Sequence, residues 1–476
     1  MPDSLQATQR AIEKIWRGEG AKIIAGVARL VRDIGLAEEL AQDALVAALE
    51  HWPPDGVPAN PGAWLMATGK NRALDHLRRA KMLVAKHEEI GHELEAQEAL
   101  IVPDFVDALD AARADEVGDD LLRLIFTACH PVLSTEARVA LTLKLLGGLS
   151  TAEIARAFLA PEATIAQRIV RAKRALAEAQ VPFELPLGDA LAPRLESVLE
   201  VIYLIFNEGY TATSGDDWMR PAMTDEALRL GRLLAQLSPQ KAEVQGLLAL
   251  MELQASRAAA RVDANGQPVL LMAQDRRTWD QLQIRRGLTA LDRAKTLSGG
   301  GDANGANGAK GANDAIGARG ARGARGAKGL EIGAGGPSAV GATVATVAQD
   351  AMGRYTLQAA IAACHARAQV AADTDWPRIV ALYDLLAQVT PSPVVALNRA
   401  VAVGMAQGPQ AALVIVDTLL ADSRLAAYQW LPSVRADLLG KLGRHAEARA
   451  EFERAAGLTR NTQERELLLG QAKAMG

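Results

Sequence analysis

A chain of 476 residues, of which 49 % are apolar, is too long for one hydrophobic core, so its composition predicts two or three domains. The net charge of −4 excludes a protein that is basic throughout. Charge is uneven, however, with 12 Lys/Arg against 10 Asp/Glu in residues 1–86, 1 against 12 in residues 87–120, and 8 against 4 in residues 121–181. Nucleic-acid binding depends on such local excess, so the two mildly basic blocks are its candidates.

The two cysteines, Cys129 and Cys364, are too few for a disulfide framework and indicate a reducing compartment. Each precedes a histidine, but neighbouring helical residues diverge by about 100°, so we expect buried cysteines rather than a metal site. We predict no cofactor. The N-terminus has no apolar signal region and no long apolar run follows, which predicts a cytoplasmic protein without a membrane contact.

Residues 5–50 have the composition of helices, most clearly at 36–50. Leu36, Leu40, Ala44 and Ala47 or Ala48 form an apolar stripe, and the four prolines of the following segment, HWPPDGVPANP, are expected to end the helix. An acidic, polar set lies largely off that stripe: Glu38, Glu39, Gln42 and Asp43.

A second helix is predicted from Pro61, with Asn60 as its N-cap. We expect its buried side to contain Ala63, Met66, Ala67, Leu74 and Leu77, and we place Trp64 in the core. The other side is basic enough to hold phosphates and to pair with an exposed base. Its candidate residues are Asn71, Arg72, Asp75, Arg78 and Arg79.

Residues 150–180 form the clearest motif, a short helix, a turn near Ala160 and Pro161, and a longer helix. Ile165, Ile169 and Leu176 share the apolar face of the longer helix, which predicts a helix-turn-helix with a polar, basic reading face. An ordinary amphipathic hairpin with a solvated face is the alternative. The candidate DNA contacts are Glu162, Thr164, Gln167, Arg168, Arg171 and Lys173.

The acidic block at 87–120 is predicted to be a tether, or alternatively a segment that occupies a basic channel by imitating phosphates. Residues 182–298 predict further helices, and the charge-dense stretch around Arg276 suggests an internal contact surface. The Gly/Ala-rich residues 299–348 predict a disordered insertion. Residues 354–476 have tetratricopeptide-like helix pairs, with a plain helical bundle as the alternative.

The segments GLAEELAQDALVAALEHW, NPGAWLMATGKNRALDHLRR and STAEIARAFLAPEATIAQRIVRAKRALAE, in this order, resemble an RNA polymerase sigma factor of the extracytoplasmic-function type. The remainder is similar to the subgroup with a long helical-repeat extension. The resemblance implies an all-α fold in four parts. These are region 2 at 1–86, an acidic linker at 87–120, region 4 at 121–181 and a regulatory extension at 182–476.

The resemblance also implies roles for the candidate residues. The residues from Glu38 to Asp43 would face the clamp helices of the largest polymerase subunit, and the flap of the second largest subunit would be a further contact. The set from Asn71 to Arg79 would meet the −10 promoter element, and the set from Glu162 to Lys173 the −35 element. The extension would regulate activity and offer a surface for a protein partner.

Two other classes of protein remain open from the sequence. A helix-turn-helix regulator with a repeat sensor domain would bind duplex DNA without polymerase. An enzyme in residues 182–476 has less support, because the sequence has no phosphate loop, metal-ligand spacing or nucleophile signature there. We therefore predict a protein that is not an enzyme.

Overall fold

The computed structural model describes residues 2–89, 114–158, 160–211, 214–215, 218–263, 268–299 and 352–476. Most of the predicted acidic linker and of the Gly/Ala-rich insertion lies outside these ranges, so both interpretations stay predictions. The described chain is helical, which confirms the all-α fold class, apart from one parallel pairing of the two-residue strands Ser214–Gly215 and Arg460–Asn461. No helix within these ranges is both long and apolar enough to cross a bilayer.

The first three helices pack together as one group. They are α1 (Pro2–Val31), α2 (Ile34–Asp55) and α3 (Pro61–Glu89). Asp33 caps α2 by accepting hydrogen bonds from the backbone N–H groups of Gly35 and Leu36. The predicted stripe on α2 is buried, with Leu36 half-buried. The helix, however, continues through Pro53 and Pro54 to Asp55, and Gly56 follows as its C-cap with a φ of 87°, which suits glycine.

Helix α3 begins as predicted, because Asn60 Oδ1 accepts a hydrogen bond from Ala63 N at 3.1 Å. The predicted buried side was partly wrong: Ala63 and Leu77 are exposed. The buried stripe contains Leu65, Gly69 and Ala73 instead. Glycine allows α1 to approach here, since a Cβ built on Gly69 would lie 3.2 Å from a methyl group of Val27. The helix is therefore rotated relative to the face that side-chain size suggested.

The next four helices form a second group, namely α4 (Ala114–Ala128), α5 (Thr135–Leu145), α6 (Thr151–Ala157) and α7 (Glu162–Glu178). Ser150 and Glu153 form a reciprocal capping box at the start of α6. Gly148, with φ 64°, lies in the short turn between α5 and α6, where glycine suits the left-handed backbone. The predicted apolar face of α7 is buried, which confirms the helix-turn-helix geometry.

Within the described residues, the predicted extension contains eleven α-helices. They are α8 (Leu191–Tyr210), α9 (Pro221–Leu237), α10 (Ala242–Ala255), α11 (Gln281–Gly299), α12 (Arg354–Arg367), α13 (Trp376–Val389), α14 (Pro393–Gln407), α15 (Pro409–Leu419), α16 (Trp430–Lys441), α17 (His445–Leu458) and α18 (Thr462–Ala474). From α14 onward, successive helices pack against each other, and short turns at Gly408 (φ 99°) and Gly443 (φ 76°) join α14 to α15 and α16 to α17. Most of α8–α13 shares one core with α1–α7, whereas most buried side chains of α14–α18 form two smaller clusters.

The contact between α10 and α12 gives a test of this packing. A Cβ built on Gly246 would lie 2.7 Å from the backbone nitrogen of Thr356, closer than a carbon atom can approach. We expect Gly246→Ala to destabilise the protein by about 1–3 kcal/mol, because α10 and α12 must separate.

Thermal unfolding followed by circular dichroism measures this effect. The matched control is Gly457→Ala on α17, where a Cβ has open space and where alanine favours the helix by about 0.5–1 kcal/mol. An apparent melting temperature of Gly246→Ala at or above that of the unsubstituted chain would show that the two helices do not pack as closely as described.

Candidate nucleic-acid and polymerase interfaces

The five candidate residues of α3 lie on one exposed, basic surface. Asn71, Asp75 and Arg79 are exposed, and Arg78 lies 3.5 Å from Asp75 through an ion pair. The buried stripe of Leu65, Gly69 and Ala73 holds the helix from behind, so these side chains project away from the core. Trp64 packs edge-on against the buried Trp52, with ring centroids 5.4 Å apart, and is half-buried. A basic helix face next to a braced aromatic ring suits single-stranded or opened DNA.

The candidate residues of α7 also share one surface, with different degrees of exposure. Glu162, Thr164, Gln167 and Arg171 are exposed, and Arg168 is half-buried. A helix with short polar residues in its first turn and an arginine two turns later has the chemistry for a major groove. The predicted reading face is therefore available to solvent along most of its length.

Lys173 is the exception on α7, because it forms an ion pair with Glu38 of α2. The Glu38 side chain is only 4 % exposed, and Lys144 of α5 lies 3.9 Å from its other oxygen. Glu38 was predicted to lie off the apolar stripe and to face polymerase, so its burial corrects that expectation. A buried carboxylate requires charged partners, and the group of helices α4–α7 supplies two of them, Lys144 from α5 and Lys173 from α7.

The other three candidate residues of α2 are exposed or half-buried. Glu39 and Gln42 are exposed, and Gln42 Nε2 donates a hydrogen bond of 2.7 Å to Glu38 Oε1. Asp43 lies 3.6 Å from Arg72 of α3 through an ion pair. Two residues predicted to meet different partners, polymerase and the −10 element, therefore contact each other.

Four arginines connect helices α4–α7 to the extension. No motif or spacing in the sequence marks any of them. Arg194 donates to Phe126 O near the end of α4 (2.7 Å), Arg229 to Leu146 O just after α5 (2.5 Å), and Arg220 to Ala157 O at the end of α6. In the opposite direction, Arg138 of α5 donates to Ser197 Oγ (2.5 Å) and pairs with Glu200 (3.2 Å). Helix ends expose carbonyl groups that need donors, and the extension provides them here.

Cys129 lies beside this connection. Ser197 Oγ donates to its carbonyl oxygen at 2.6 Å, and its Sγ lies 3.4 Å from Thr142 Oγ1. Burial raises the pKa of the Cys129 thiol to about 11 and also raises the pKa of Cys364. Both cysteines are buried and free, as the sequence predicted.

Comparisons with known proteins agree with this division of the chain. Residues 19–82 match the model of sigma-70 region 2, and residues 123–176 match that of sigma-70 region 4. The chain is also 27 % identical over 173 residues to a probable ECF RNA polymerase sigma factor, SigI, of Mycobacterium tuberculosis, a match that covers 36 % of this chain and 56 % of that protein. The chain is an extracytoplasmic-function sigma factor with a C-terminal extension.

The extension of this sigma factor has relatives of its own. Residues 194–295 match a family of unknown function, DUF6596. An uncharacterized protein of Rhizobium meliloti is 40 % identical over 437 residues, which is 92 % of this chain and 89 % of that protein. No solved structure matches the chain. The similarity thus extends well beyond the two sigma regions.

The buried cysteines of this sigma factor give a chemical test of its core. A thiol with a pKa of about 11 is almost fully protonated at about pH 8, and the thiolate is the reactive form. We expect neither Cys129 nor Cys364 to react with the thiol reagent DTNB in the native protein at that pH. Both should react in guanidinium chloride, where the pKa returns to about 8.5. Rapid native reaction of either thiol would contradict the described burial.

Proposed function

We propose that this sigma factor binds core RNA polymerase and directs promoter-specific initiation through contacts of α3 with the −10 element and of α7 with the −35 element. Its extension regulates these contacts, and an additional protein can bind there. The observation that carries the proposal is the presence of two exposed polar and basic helix faces on the regions that match sigma-70 regions 2 and 4. Such a protein performs no covalent chemistry and acts in the cytoplasm, beside the polymerase.

The α3 surface has the chemistry for the −10 element. Asn71 can pair with an exposed base edge, and Arg72, Arg78 and Arg79 can neutralise the phosphates of strands that separate. On α7, Arg171 and Gln167 are the residue types that pair with guanine and adenine in the major groove. The two helices therefore suit different forms of DNA, opened strands and duplex.

The distance between the −10 and −35 promoter elements requires regions 2 and 4 of the protein to separate, a change that we call opening. Promoter positions −10 and −35 are about 25 base pairs apart, or roughly 85 Å of DNA at 3.4 Å per base pair. In the structure α2 contacts α7 through the ion pair of Glu38 and Lys173, so regions 2 and 4 are adjacent. Residues 90–113, which join α3 to α4, are long enough to span roughly 80 Å when extended. Separation of the regions is therefore compatible with the covalent chain.

Opening also changes which charged side chains of regions 2 and 4 are free to bind polymerase and DNA. Glu38 exchanges its lysine partners for cationic side chains of the polymerase clamp helices, together with the already exposed Glu39 and Gln42. Lys173 becomes available to DNA phosphates. The arginine contacts hold α4, α6 and the end of α5 against the extension in the closed arrangement, which supports a regulatory role for the extension.

The reading face of α7 is tested by a single substitution. We expect Arg171→Ala to reduce promoter-specific transcription by about fivefold or more, because a bidentate arginine–guanine contact discriminates by about 1–3 kcal/mol. Co-purification with core polymerase should be unchanged, because Arg171 lies on the exposed DNA-facing side.

The matched control is Arg285→Ala, an exposed arginine on α11, which should transcribe normally. Equal activity of the two variants would remove Arg171 from the interface. Failure of the unsubstituted chain to co-purify with core polymerase, with promoter DNA still bound, would favour the helix-turn-helix regulator that acts without polymerase.

The closed contact is tested by a reversible disulfide. A Cβ built on Gly35 lies 3.7 Å from the Cβ of Lys173, within the range of about 3.5–4.5 Å for disulfides. Under mild oxidation, the double variant Gly35→Cys, Lys173→Cys should cross-link regions 2 and 4. We expect the oxidised protein to transcribe at least about tenfold less than the same protein after reduction, because cross-linked regions cannot span both elements.

The reduced double variant is the internal control, since it lacks Lys173 but can open. The single variant Gly35→Cys controls for oxidation, and the buried Cys129 and Cys364 should not exchange with the new pair. Equal transcription by the oxidised, fully cross-linked protein and the reduced protein would disprove the requirement for opening.

A further inference from the structure

A cavity of about 280 Å³ lies where the part that matches the family of unknown function meets the helix pairs that follow it. Its walls come from α8, α10, α12, α13, α14 and the segment between α10 and α11. The lining is mixed: polar groups contribute the larger part of its accessible surface, and aromatic and aliphatic side chains, including Tyr203, Tyr383, Leu250 and Ile361, contribute the rest. The volume is near the lower end of the range for small-molecule sites, about 300–1,000 Å³, so a molecule with one or two rings fits better than a nucleotide.

The polar groups of this cavity include several hydrogen-bond donors beside the amides of Gln254, Gln358 and Asn398, and their net charge is positive. None of the residues that line the cavity is Asp or Glu, whereas Arg257 is among them. Arg257 donates one hydrogen bond to Gln254 Oε1 at 2.6 Å, and a guanidinium has five N–H groups. Burial raises the pKa of the Tyr383 hydroxyl to about 12, so this group stays protonated and can donate.

Two buried nitrogen atoms in this lining have no hydrogen-bond partner among the described residues. Trp279 is 4 % exposed and its Nε1 is unpaired, although an indole N–H is only a donor. His365 Nδ1 is also unpaired. Burial and the nearby Arg257 and Arg276 lower the pKa of His365 to about 4, so the ring is neutral near pH 7. A buried donor without a partner is costly, and a ligand that accepts its hydrogen bond removes that cost.

Contacts of the buried Arg276 fix the positions of residues that line the cavity. Arg276 is buried and donates to the carbonyl oxygens of His365 (2.8 Å) and Ala368 (3.0 Å) and to Thr374 Oγ1 (3.0 Å). Its guanidinium carbon lies 5.2 Å from the ring centroid of Trp279. The charge-dense stretch around Arg276 is thus an internal contact, as predicted, and it fixes Trp279 and the end of α12 relative to each other.

We propose that this cavity binds a small organic anion, a carboxylate attached to an aromatic or apolar body. The carboxylate pairs with Arg257 and accepts hydrogen bonds from Trp279 Nε1 and from the Tyr383 hydroxyl. The apolar body packs among Leu250, Ile361 and the tyrosine rings. An anion fits better than a cation because the lining has a guanidinium and no carboxylate.

The binding test uses the full chain and four probes, benzoate, phenylacetate, salicylate and indole-3-acetate, in isothermal titration calorimetry. We expect at least one probe to bind at one site per chain with millimolar or tighter affinity. Phenylacetamide and benzamide, which are neutral, should bind at least about tenfold more weakly than the corresponding anions, since they cannot form the charge-assisted pair.

Substitutions locate the binding site. Arg257→Gln should weaken binding by about ten- to hundredfold, the range for loss of a hydrogen bond to a charged group. Trp279→Phe keeps an aromatic ring, removes the unpaired N–H and should weaken binding by several fold. The matched control, Arg293→Gln at an exposed position of α11, should bind normally. Circular dichroism verifies that each variant is folded.

The following results would overturn the proposal. The first is that no probe produces a heat of binding at millimolar concentration. The second is that anions and neutral amides bind with equal affinity. The third is that a folded Arg257→Gln protein binds the anions as tightly as the unsubstituted chain. Tyr203 in the cavity and Ser197 at region 4 lie on the same helix, α8, so a bound ligand could influence region 4. Such a regulatory effect rests on the proposed function. The binding assay contains no polymerase or DNA, so its result is independent of the transcription assays.

Discussion

The hydrogen-bonding requirement of helix ends determines how this sigma factor is assembled. Region 4 consists of short helices, and the carbonyl groups at the ends of such helices lack intrahelical donors. Arg194, Arg220 and Arg229 of the extension donate to carbonyls at the ends of α4, α6 and α5, while Arg138 reaches back to α8. A charged donor forms a stronger hydrogen bond than a neutral one, so removal of the extension would expose groups that it now satisfies. Region 4 and the extension are therefore structurally interdependent.

A second constraint acts between region 4 and region 2. Glu38 is buried, and a buried carboxylate without cationic partners is strongly unfavourable. Lys144 and Lys173 meet this need in the closed arrangement. The proposed open arrangement meets it with polymerase side chains, while Lys173 finds DNA phosphates. Under this proposal the same charges would stabilise two assemblies in turn, and polymerase would compete with region 4 for α2.

The sequence was a good guide wherever local rules decide the structure. The spacing of Ile165, Ile169 and Leu176 predicted the buried face of α7, and Asn60 predicted the start of α3. It failed where tertiary contacts decide: α3 turns its Gly69 toward α1, and Glu38 is buried although it lies off the apolar stripe. The arginines of the extension carry no periodicity or motif, because their partners are backbone carbonyls that are distant in sequence. The helices that carry the candidate residues were predictable from the sequence. The contact of region 4 with Glu38 on α2, which buries part of the candidate polymerase surface, was not.

Helix α8 brings these observations together. From Ser197 to Tyr203 the helix advances about 9 Å, so one rigid element connects a contact of region 4 with the wall of the cavity. A ligand can shift an equilibrium only by its difference in affinity for the two states. In the proposed function, the ion pair between α2 and α7 is present in the closed state and absent from the open state, and α8 contacts region 4, the part proposed to move. An anion that rearranges the packing of α8 against α12 would change the position of Ser197, and with it the free energy of the closed state.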